Sequence, residues 1–396
     1  MARIAIICAY SLPIGMAATT RIMSYSKGLV RNGDDVTVFS YNPSGNKYDD
    51  LKESQGVYEG VNYCYAFKKD RYHNKILHAL EILWSIVLTI KQIFLENKKR
   101  KIDCLIISDD NPLIIWLFNY LAFKIGSKAI FIFDEYPYPI RRKLKNKIPF
   151  WKVLSYRIAL KNTSGYIGMT KNLVGFYQNI VFRPSLILTS IVDVDRFKLN
   201  SIGKFDSTGE QIQLTYMGNM ELSKDNVDNI LRAMPLILEK YPNAKLLLCG
   251  RPNARDRVVL NDLIKYLNIS KNVIIDFVKF SEVPNILSNS HLLLSSQPST
   301  KRAEGGFPTK LGEYLASGTP TVVTNVGEIS KFVEDGENVF LVPPENPDLY
   351  AKKIVWILSN YETAQSVGKK GRILIEKDFS ILSAGAKIKK FITNSI

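Results

Sequence analysis

The chain has 396 residues, 46% of them hydrophobic and 23% charged, with no low-complexity tract. That length exceeds one ordinary core and predicts two domains of about 200 residues each, and the composition excludes a disordered or fibrous protein. The formal net charge of +16 is uneven, with 27 Lys/Arg against 16 Asp/Glu in residues 1–195 and 26 against 21 in residues 196–396; the front half therefore suits a membrane, a nucleic acid or an anionic substrate, unless the excess serves only solubility.

Residues 4–9 form an apolar run, followed by a loop with Pro13 and Gly15, a helical stretch over about 20–30 closed by Asn32-Gly33, and a second apolar run at 36–40. The chain thus opens strand–loop–helix–strand. No basic–apolar–cleavage pattern precedes Ile4, and Cys8, Cys104 and Cys249 lie in apolar runs with no metal-knuckle or Cys-x-x-Cys spacing. The expectation is a cytoplasmic chain with reduced thiols. Residues 76–95 are rich in Leu, Ile, Val and Trp84 but interrupted by Glu81, Lys91 and Gln92, which argues for a long helix packed on a sheet, with a membrane-lying role as the other reading and a membrane span disfavoured.

Further apolar runs at 104–107, 129–133 and 165–169 alternate with helical stretches and predict a parallel sheet covered on both faces. Between two of them stands a basic run, Arg141, Arg142, Lys143, Lys145 and Lys147, followed by Phe150 and Trp151. It reads either as a solvated loop or as cations meeting anionic headgroups while the aromatics enter the interface. Nucleic acid is disfavoured, because no stacking platform or recognition-helix pattern accompanies the charge. A polar stretch at 200–210 reads as a linker. A second series follows, with strands at 213–217, 245–249, 273–277, 291–295, 321–324 and 340–342 and helices near 227–241, 256–267, 283–288 and 309–317. The expected fold is α/β, two Rossmann-like doubly wound parallel-sheet domains at 1–198 and 199–382 facing a central cleft, with ligands at the carboxyl edges of the strands.

The most informative stretch is Gly305-Gly306-Phe307-Pro308-Thr309-Lys310-Leu311-Gly312-Glu313-Tyr314-Leu315-Ala316-Ser317-Gly318-Thr319-Pro320. It reads as a glycine pair opening a short helix, one carboxylate on that helix, and a glycine stop before the strand at 321–324. A helix N-terminus with close-approaching glycine backbone suits a diphosphate, and Glu313, one turn from Thr309, can accept two sugar hydroxyls beside it.

These residues resemble the donor-binding signature of the large nucleotide-sugar glycosyltransferase family four, glycosyl transferases group 1, whose members have the GT-B fold and retain anomeric configuration. The resemblance implies that Glu313 binds donor ribose hydroxyls and that the loop before it, Gly305 to Lys310, meets the donor sugar and phosphates. Tyr216-Met217-Gly218-Asn219 through Lys224 is similar to the family's Gly-Arg…Lys-Gly loop, with Lys224 matching and Asn219 in place of the arginine. Residues 191–197, Ile-Val-Asp-Val-Asp-Arg-Phe, resemble the interdomain sequence, Gly15 belongs to a stretch like the glycine loop after the first strand, and the final helix, 383–396, would cross back to the first domain. The partner of the usual glutamate pair falls on Gly305, with Glu304 one place off. Lys310, Arg302 and Lys301 are at hand to supply charge, and Lys224 with Lys310 is expected to grip the diphosphate.

None of His73, His78 and His291 ends a first-domain strand, whereas Asp134 and Glu135 do and are the candidate catalytic acids, able to orient an acceptor hydroxyl and take its proton, or else to cap the next loop. Asp193-x-Asp195 has metal-binding spacing but reads as a turn, and Asp109-Asp110 as a cap. The resulting expectation is a retaining, metal-independent glycosyltransferase without a cofactor, acting on a lipid-linked glycan in bacterial surface-polysaccharide assembly, cytoplasmic or peripheral at the inner membrane face through the basic run and Trp151. Two rivals are a nucleotide-sugar epimerase of the same fold and a catalytically silent sugar-nucleotide-binding subunit. A nicotinamide dehydrogenase is disfavoured, since no Gly-x-Gly-x-x-Gly follows the first strand.

Overall fold

The computed structural model describes residues 1–15, 17–43, 53–141, 147–198 and 211–394, with the side chains of Pro139 and Arg141 excepted. The expected linker at 200–210 and Arg142, Lys143 and Lys145 lie outside the described residues. The chain divides into two compact units, residues 1–191 with 381–396, and residues 192–380.

In the first unit the elements run β1 (Arg3–Cys8), α1 (Ala17–Arg31), β2 (Asp35–Ser40), β3 (Gln55–Tyr58), β4 (Val61–Tyr65), α2 (Lys75–Lys99), β5 (Cys104–Ser108), α3 (Pro112–Lys124), β6 (Lys128–Phe133), α4 (Tyr138–Arg141), α5 (Phe150–Ala159), β7 (Gly165–Gly168), α6 (Lys171–Gln178) and β8 (Ser185–Ile187). The sheet order is β3-β4-β2-β1-β5-β6-β7-β8, parallel except for β3 against β4. That edge hairpin, turned at Glu59-Gly60 with both residues at positive φ, was not anticipated from the sequence. Alternate residues of the central strands feed two cores. Ile4, Ile6 and Ile106 pack under α1, while Ala5, Ile7, Leu105 and Phe131 pack under α2, α3, α5 and α6. Burial on both faces explains the unbroken apolar runs of these strands.

The second unit runs β9 (Ile212–Met217), α7 (Leu222–Asp225), α8 (Val227–Lys240), β10 (Ala244–Cys249), α9 (Ala254–Tyr266), β11 (Val273–Asp276), α10 (Val283–Ser288), β12 (Leu292–Ser295), α11 (Lys301–Gly305), α12 (Thr309–Ser317), β13 (Thr321–Thr324), β14 (Phe340–Val342), α13 (Pro347–Ser359) and α14 (Tyr361–Asp378). Its sheet is wholly parallel in the order β11-β10-β9-β12-β13-β14. Here α12 ends as expected, at Gly318 with φ 75°, a left-handed position that suits glycine.

The last helix, α15 (Ile381–Asn394), belongs to the first unit and packs on α1. The contact is backbone to backbone. A Cβ added to Gly28 would overlap the Ile381 carbonyl, and one added to Gly385 would overlap Gly28, so only glycine permits this approach.

Candidate active site

The strand order of the second unit reverses between β9 and β12, and ligands of doubly wound sheets bind beyond the carboxyl ends of the strands at such a point. Helix α12 is fixed over it by one side chain. Tyr314 Oη accepts the Met217 N–H of β9 at 2.7 Å and donates to the Leu294 carbonyl of β12 at 3.3 Å. Burial pushes this hydroxyl well above the ordinary tyrosine value, so it remains a neutral clamp.

Glycine backbone lies directly beside this clamp. The Gly218 N–H donates to the Cys249 carbonyl at 2.9 Å. A Cβ on Gly250 would overlap the Gly218 carbonyl oxygen, and one on Gly218 would stand 2.6 Å from Tyr216 Oη and 2.7 Å from Lys310 Nζ. The ends of β9 and β10 therefore meet with no side chain between them.

Lys310, in the first turn of α12, turns its ammonium onto Asp225 Oδ1 at 2.6 Å and Tyr216 Oη at 2.8 Å. Burial raises the Asp225 carboxyl, but Lys310, with Lys224 and Tyr216, outweighs it and holds the group below the usual aspartate range. Burial also pulls the Lys310 ammonium below the ordinary lysine value against the attraction of Asp225. Lys310 was expected to grip a diphosphate; its charge is already balanced by Asp225. Lys224, half-buried on α7, adds a second cation to this cluster.

Glu313, one turn further along α12, retains 26% of its side-chain exposure and accepts from Arg196 Nη1 at 3.1 Å. Burial raises its carboxyl above the usual range, and the guanidinium offsets that only in part. Arg196 in turn lies 3.8 Å from the centroid of the Phe280 ring and donates to the Phe280 carbonyl at 3.1 Å. The carboxylate is thus half-buried on a braced partner.

The glycine pair departs from expectation. Gly305 is the last residue of α11, whose start is capped by Thr300 Oγ1 accepting from the Ala303 N–H at 3.3 Å, and Gly306 follows as its C-cap. The pair therefore closes one helix, and α12 opens three residues later at Thr309. Phe307 is an anchor, buried edge-on against Phe332 with ring centroids 5.6 Å apart. Pro308, also buried, is the N-cap of α12 and offers no side-chain acceptor to its first turn, which leaves helix N–H groups available to an anion. Thr309 and Asn219 are exposed. Glu304 is exposed and paired with Lys301 at 2.6 Å, and Arg302 is paired with Glu221 at 3.1 Å.

The structure thus brings Lys224, Lys310 and the start of α12 to one sheet edge, with Glu313 one turn along. Gly15 belongs to the first unit, where its close neighbour is Thr19, whose hydroxyl donates to the Ser11 carbonyl at 2.8 Å. Asp225, Tyr216 and Arg196 were given no role in the sequence reading. Arg196 stood within the resembling stretch 191–197, which was the available signal.

In the first unit Asp134 and Glu135 follow β6, both half-buried. Asp134 Oδ1 lies 2.9 Å from Arg21 Nε, and Arg21, 5% exposed, also donates to the carbonyls of Leu188 and Thr189 at 2.7 and 3.2 Å. Burial raises the Asp134 carboxyl, with Arg21 opposing and Glu135 adding to the rise. Asp109 accepts the Asn111 N–H at 2.7 Å and a hydrogen bond from Tyr41; the cap of α3 expected at Asp109-Asp110 is instead Asn111, whose Oδ1 accepts the Leu113 N–H at 3.0 Å. Val194–Arg196 is a 3-10 turn, and His291 Nδ1 accepts the Gln213 N–H at 2.9 Å. Among the described residues no cluster of three His, Cys, Asp or Glu could hold a metal ion. The four cysteines are buried and free, and burial pushes Cys8 and Cys249 up to about 12 and Cys64 to about 11.

Residues 198–374 match the family model described as glycosyl transferases group 1. Spore coat protein SA of Bacillus subtilis (strain 168) is 29% identical over 158 residues, 38% of this chain and 40% of that protein. The uncharacterized glycosyltransferase MJ1607 of Methanocaldococcus jannaschii is 30% identical over 162 residues, 41% and 38% of the two chains. The match spans about two-fifths of the length of these curated relatives. Among solved structures, sucrose-phosphate synthase from Thermosynechococcus elongatus superposes with a TM-score of 0.73 at 14% identity, covering 98% of each chain. Anabaena Alr3699/HepE in complex with UDP gives 0.71 at 12% identity over 99% of each, and a glycosyltransferase from Rickettsia africae ESF-5 gives 0.71 at 17% over 100% and 99%. The fold is GT-B, and the second unit carries a group 1 glycosyltransferase domain.

Proposed function

We propose that this chain is a retaining glycosyltransferase that moves a sugar from a nucleoside diphosphate sugar, held by the second unit, to a hydroxyl of a lipid-linked glycan presented by the first, in the assembly of a bacterial surface polysaccharide. The observation that carries this reading is the placement of Lys224, Lys310 and the uncapped start of α12 at the β9/β12 reversal, with Glu313 one turn further on. The helix N-terminus and Lys224 stabilise the leaving diphosphate without a metal ion, and Lys310 keeps the Asp225 carboxylate from repelling it. Glu313 receives two donor hydroxyls in exchange for Arg196. Asp134 or Glu135 takes the acceptor proton, Asp134 being oriented by Arg21. The enzyme works at the cytoplasmic face of the membrane, with the run Arg141, Arg142, Lys143, Lys145 and Lys147 and the exposed Trp151 meeting anionic lipid.

Thermal-shift titration with UDP-, GDP- and dTDP-sugars on the wild type and Glu313→Ala tests the donor site, because a specific ligand raises the midpoint by mass action. UDP-sugars come first, since HepE, a protein of the same fold, was solved with UDP and with UDP-glucose. A shift with one nucleotide sugar that vanishes in the variant is expected, and its absence with all of them would overturn the reading. Turnover then separates the classes. Product from donor alone would identify an epimerase, and binding without turnover a silent subunit. Asp134→Asn or Glu135→Gln should stop turnover while sparing donor binding, and chelator should leave turnover intact.

A further inference from the structure

Helix α2 of the first unit is built inside out. The stripe it turns to the sheet contains Ile86 and Ile93 but also Glu81, Ser85 and Thr89, all buried. Glu81 is stabilised there by Lys68, by the Tyr72 N–H at 2.9 Å and by His78 at 3.3 Å. The opposite stripe, Ile76, Leu80, Leu83, Trp84, Val87 and Phe94, is exposed, Trp84 to 56%. A helix facing water carries its polar residues outward; this one buries Glu81, Ser85 and Thr89 and carries its largest apolar groups outward beside exposed lysines. It is long and apolar enough to cross a membrane by length and composition, yet Ile86 and Ile93 are part of the sheet's core, so it lies on the unit.

The two neighbouring helices on that sheet face repeat the pattern. On α3, Leu113, Trp116, Tyr120 and Phe123 are exposed, and Trp116 stacks on Tyr120 with centroids 5.9 Å apart. On α5, Phe150, Trp151, Leu154 and Ile158 are exposed, Phe150 to 81%. Tryptophan, tyrosine and phenylalanine in this proportion are the residues of a water–lipid boundary. The charge on the same helices is predominantly basic. Together α2, α3 and α5 carry seven Lys/Arg and two acids, Glu81 and Glu96, and Glu96 is bound to Arg3 at 2.6 Å and Lys99 at 2.8 Å. Lys98 and Lys124 lie over the rings of Phe94 and Tyr120 at 4.9 and 5.3 Å, the posture of stems laid along apolar surface with heads at its rim.

We infer that the outer face of α2, α3 and α5 docks flat on an anionic lipid bilayer, the aromatic stripes entering the interface and the basic rim meeting the headgroups. A second copy of the chain is a poorer occupant, because two-fold pairing of α2 with itself sets Lys75 at one end against Lys98 and Lys99 at the other with no free acid to answer them. The surface extends the contact proposed above from one basic run to three helices. It stands without glycosyl transfer, so vesicle binding by a chain that bound no nucleotide sugar would leave it intact.

The test is co-sedimentation of the full chain with phosphatidylcholine vesicles and with vesicles in which phosphatidylglycerol replaces part of the phosphatidylcholine. Binding is expected to the anionic vesicles, weakening with salt, with a blue shift of tryptophan fluorescence. The double variant Trp84→Glu/Trp116→Glu, at positions exposed enough to spare the fold, should reduce partitioning by about tenfold or more with far-UV circular dichroism and thermal midpoint unchanged. Should the double variant fail to fold, Leu80→Gln with Phe123→Gln serves the same purpose. Equal partitioning to both vesicle types, binding indifferent to the substitutions, or a concentration-dependent dimer in sedimentation velocity that the variant dissolves would each overturn the proposal.

Discussion

The two units share a doubly wound plan but use their carboxyl edges differently. At the edge of the second unit the charged groups sit in layers. A pinned pair, Lys310 with Asp225, is the more buried, and a carboxylate leaning on a braced arginine, Glu313 with Arg196, is half-buried and the more open. At the edge of the first unit the principal pair is Arg21 with Asp134, and Arg21 spends its remaining donors on the carbonyls of Leu188 and Thr189. On the proposed reading one edge keeps a carboxylate for exchange with a ligand, whereas the other commits its arginine to two loop carbonyls. Topology locates a binding edge, and the partners of its charged side chains decide whether that edge recognises a ligand or orients a reacting group.

The comparison breaks most readily at its two buried cations. Lys310→Met removes the closest cation from the buried Asp225 carboxylate, and Arg21→Met does the same to Asp134 and frees two carbonyls, each at about 3 kcal/mol. Chemical denaturation followed unit by unit should place the first loss in the second unit and the other in the first, and only Lys310→Met should weaken binding of an anionic donor. Equal effects on donor binding would dissolve the asymmetry. Next in size, Gly250→Ala forces a methyl into the Gly218 carbonyl and should destabilise the second unit by about 1–3 kcal/mol, whereas Gly175→Ala, in open space on α6, should be neutral or stabilising in the first.

The smallest effect is in pH. Asp225 is depressed in the folded state, so its contribution is present above its unfolded value and lost as pH falls through the folded one. Glu313 is raised, so the folded state binds its proton more tightly and loses stability as pH rises from about 4.3. Glu313→Gln should therefore gain on the wild type as pH is raised through that range, measured as the difference in thermal midpoint, while losing the donor-dependent shift. A constant difference across the range would show that Arg196 cancels the burial of Glu313 completely.

How much of this was legible follows from the range over which each feature is specified. Strands β9, β10 and β13 are buried or half-buried along their length, so each is rich in β-branched and apolar residues between turn residues, and Gly318 marked the end of α12. The placement of Glu313 on a short helix ended by Gly318 was legible because the whole motif is contiguous. The partners were not, since Lys310 meets Asp225 across 85 residues and Arg196 meets Glu313 across 117, distances at which periodicity is silent. Helix α11 escaped because five residues give no period, although the cap at Thr300 was readable. On α2 the apolar residues outside the core outnumber those within it, so the pattern gave a helix without saying which side faced the sheet.

The return of α15 to α1 has a consequence for the order of assembly. Gly28 meets Ile381 and Gly385 without a side chain between them, so the outer layer of the first unit is supplied by residues translated after all of the second. During synthesis the first sheet must wait, with Ile22, Tyr25 and Leu29 of its core lacking Ile388 and Phe391, until the other unit has emerged. The second unit is in effect an insertion that can mature first, and the first is completed only once α15 has been made.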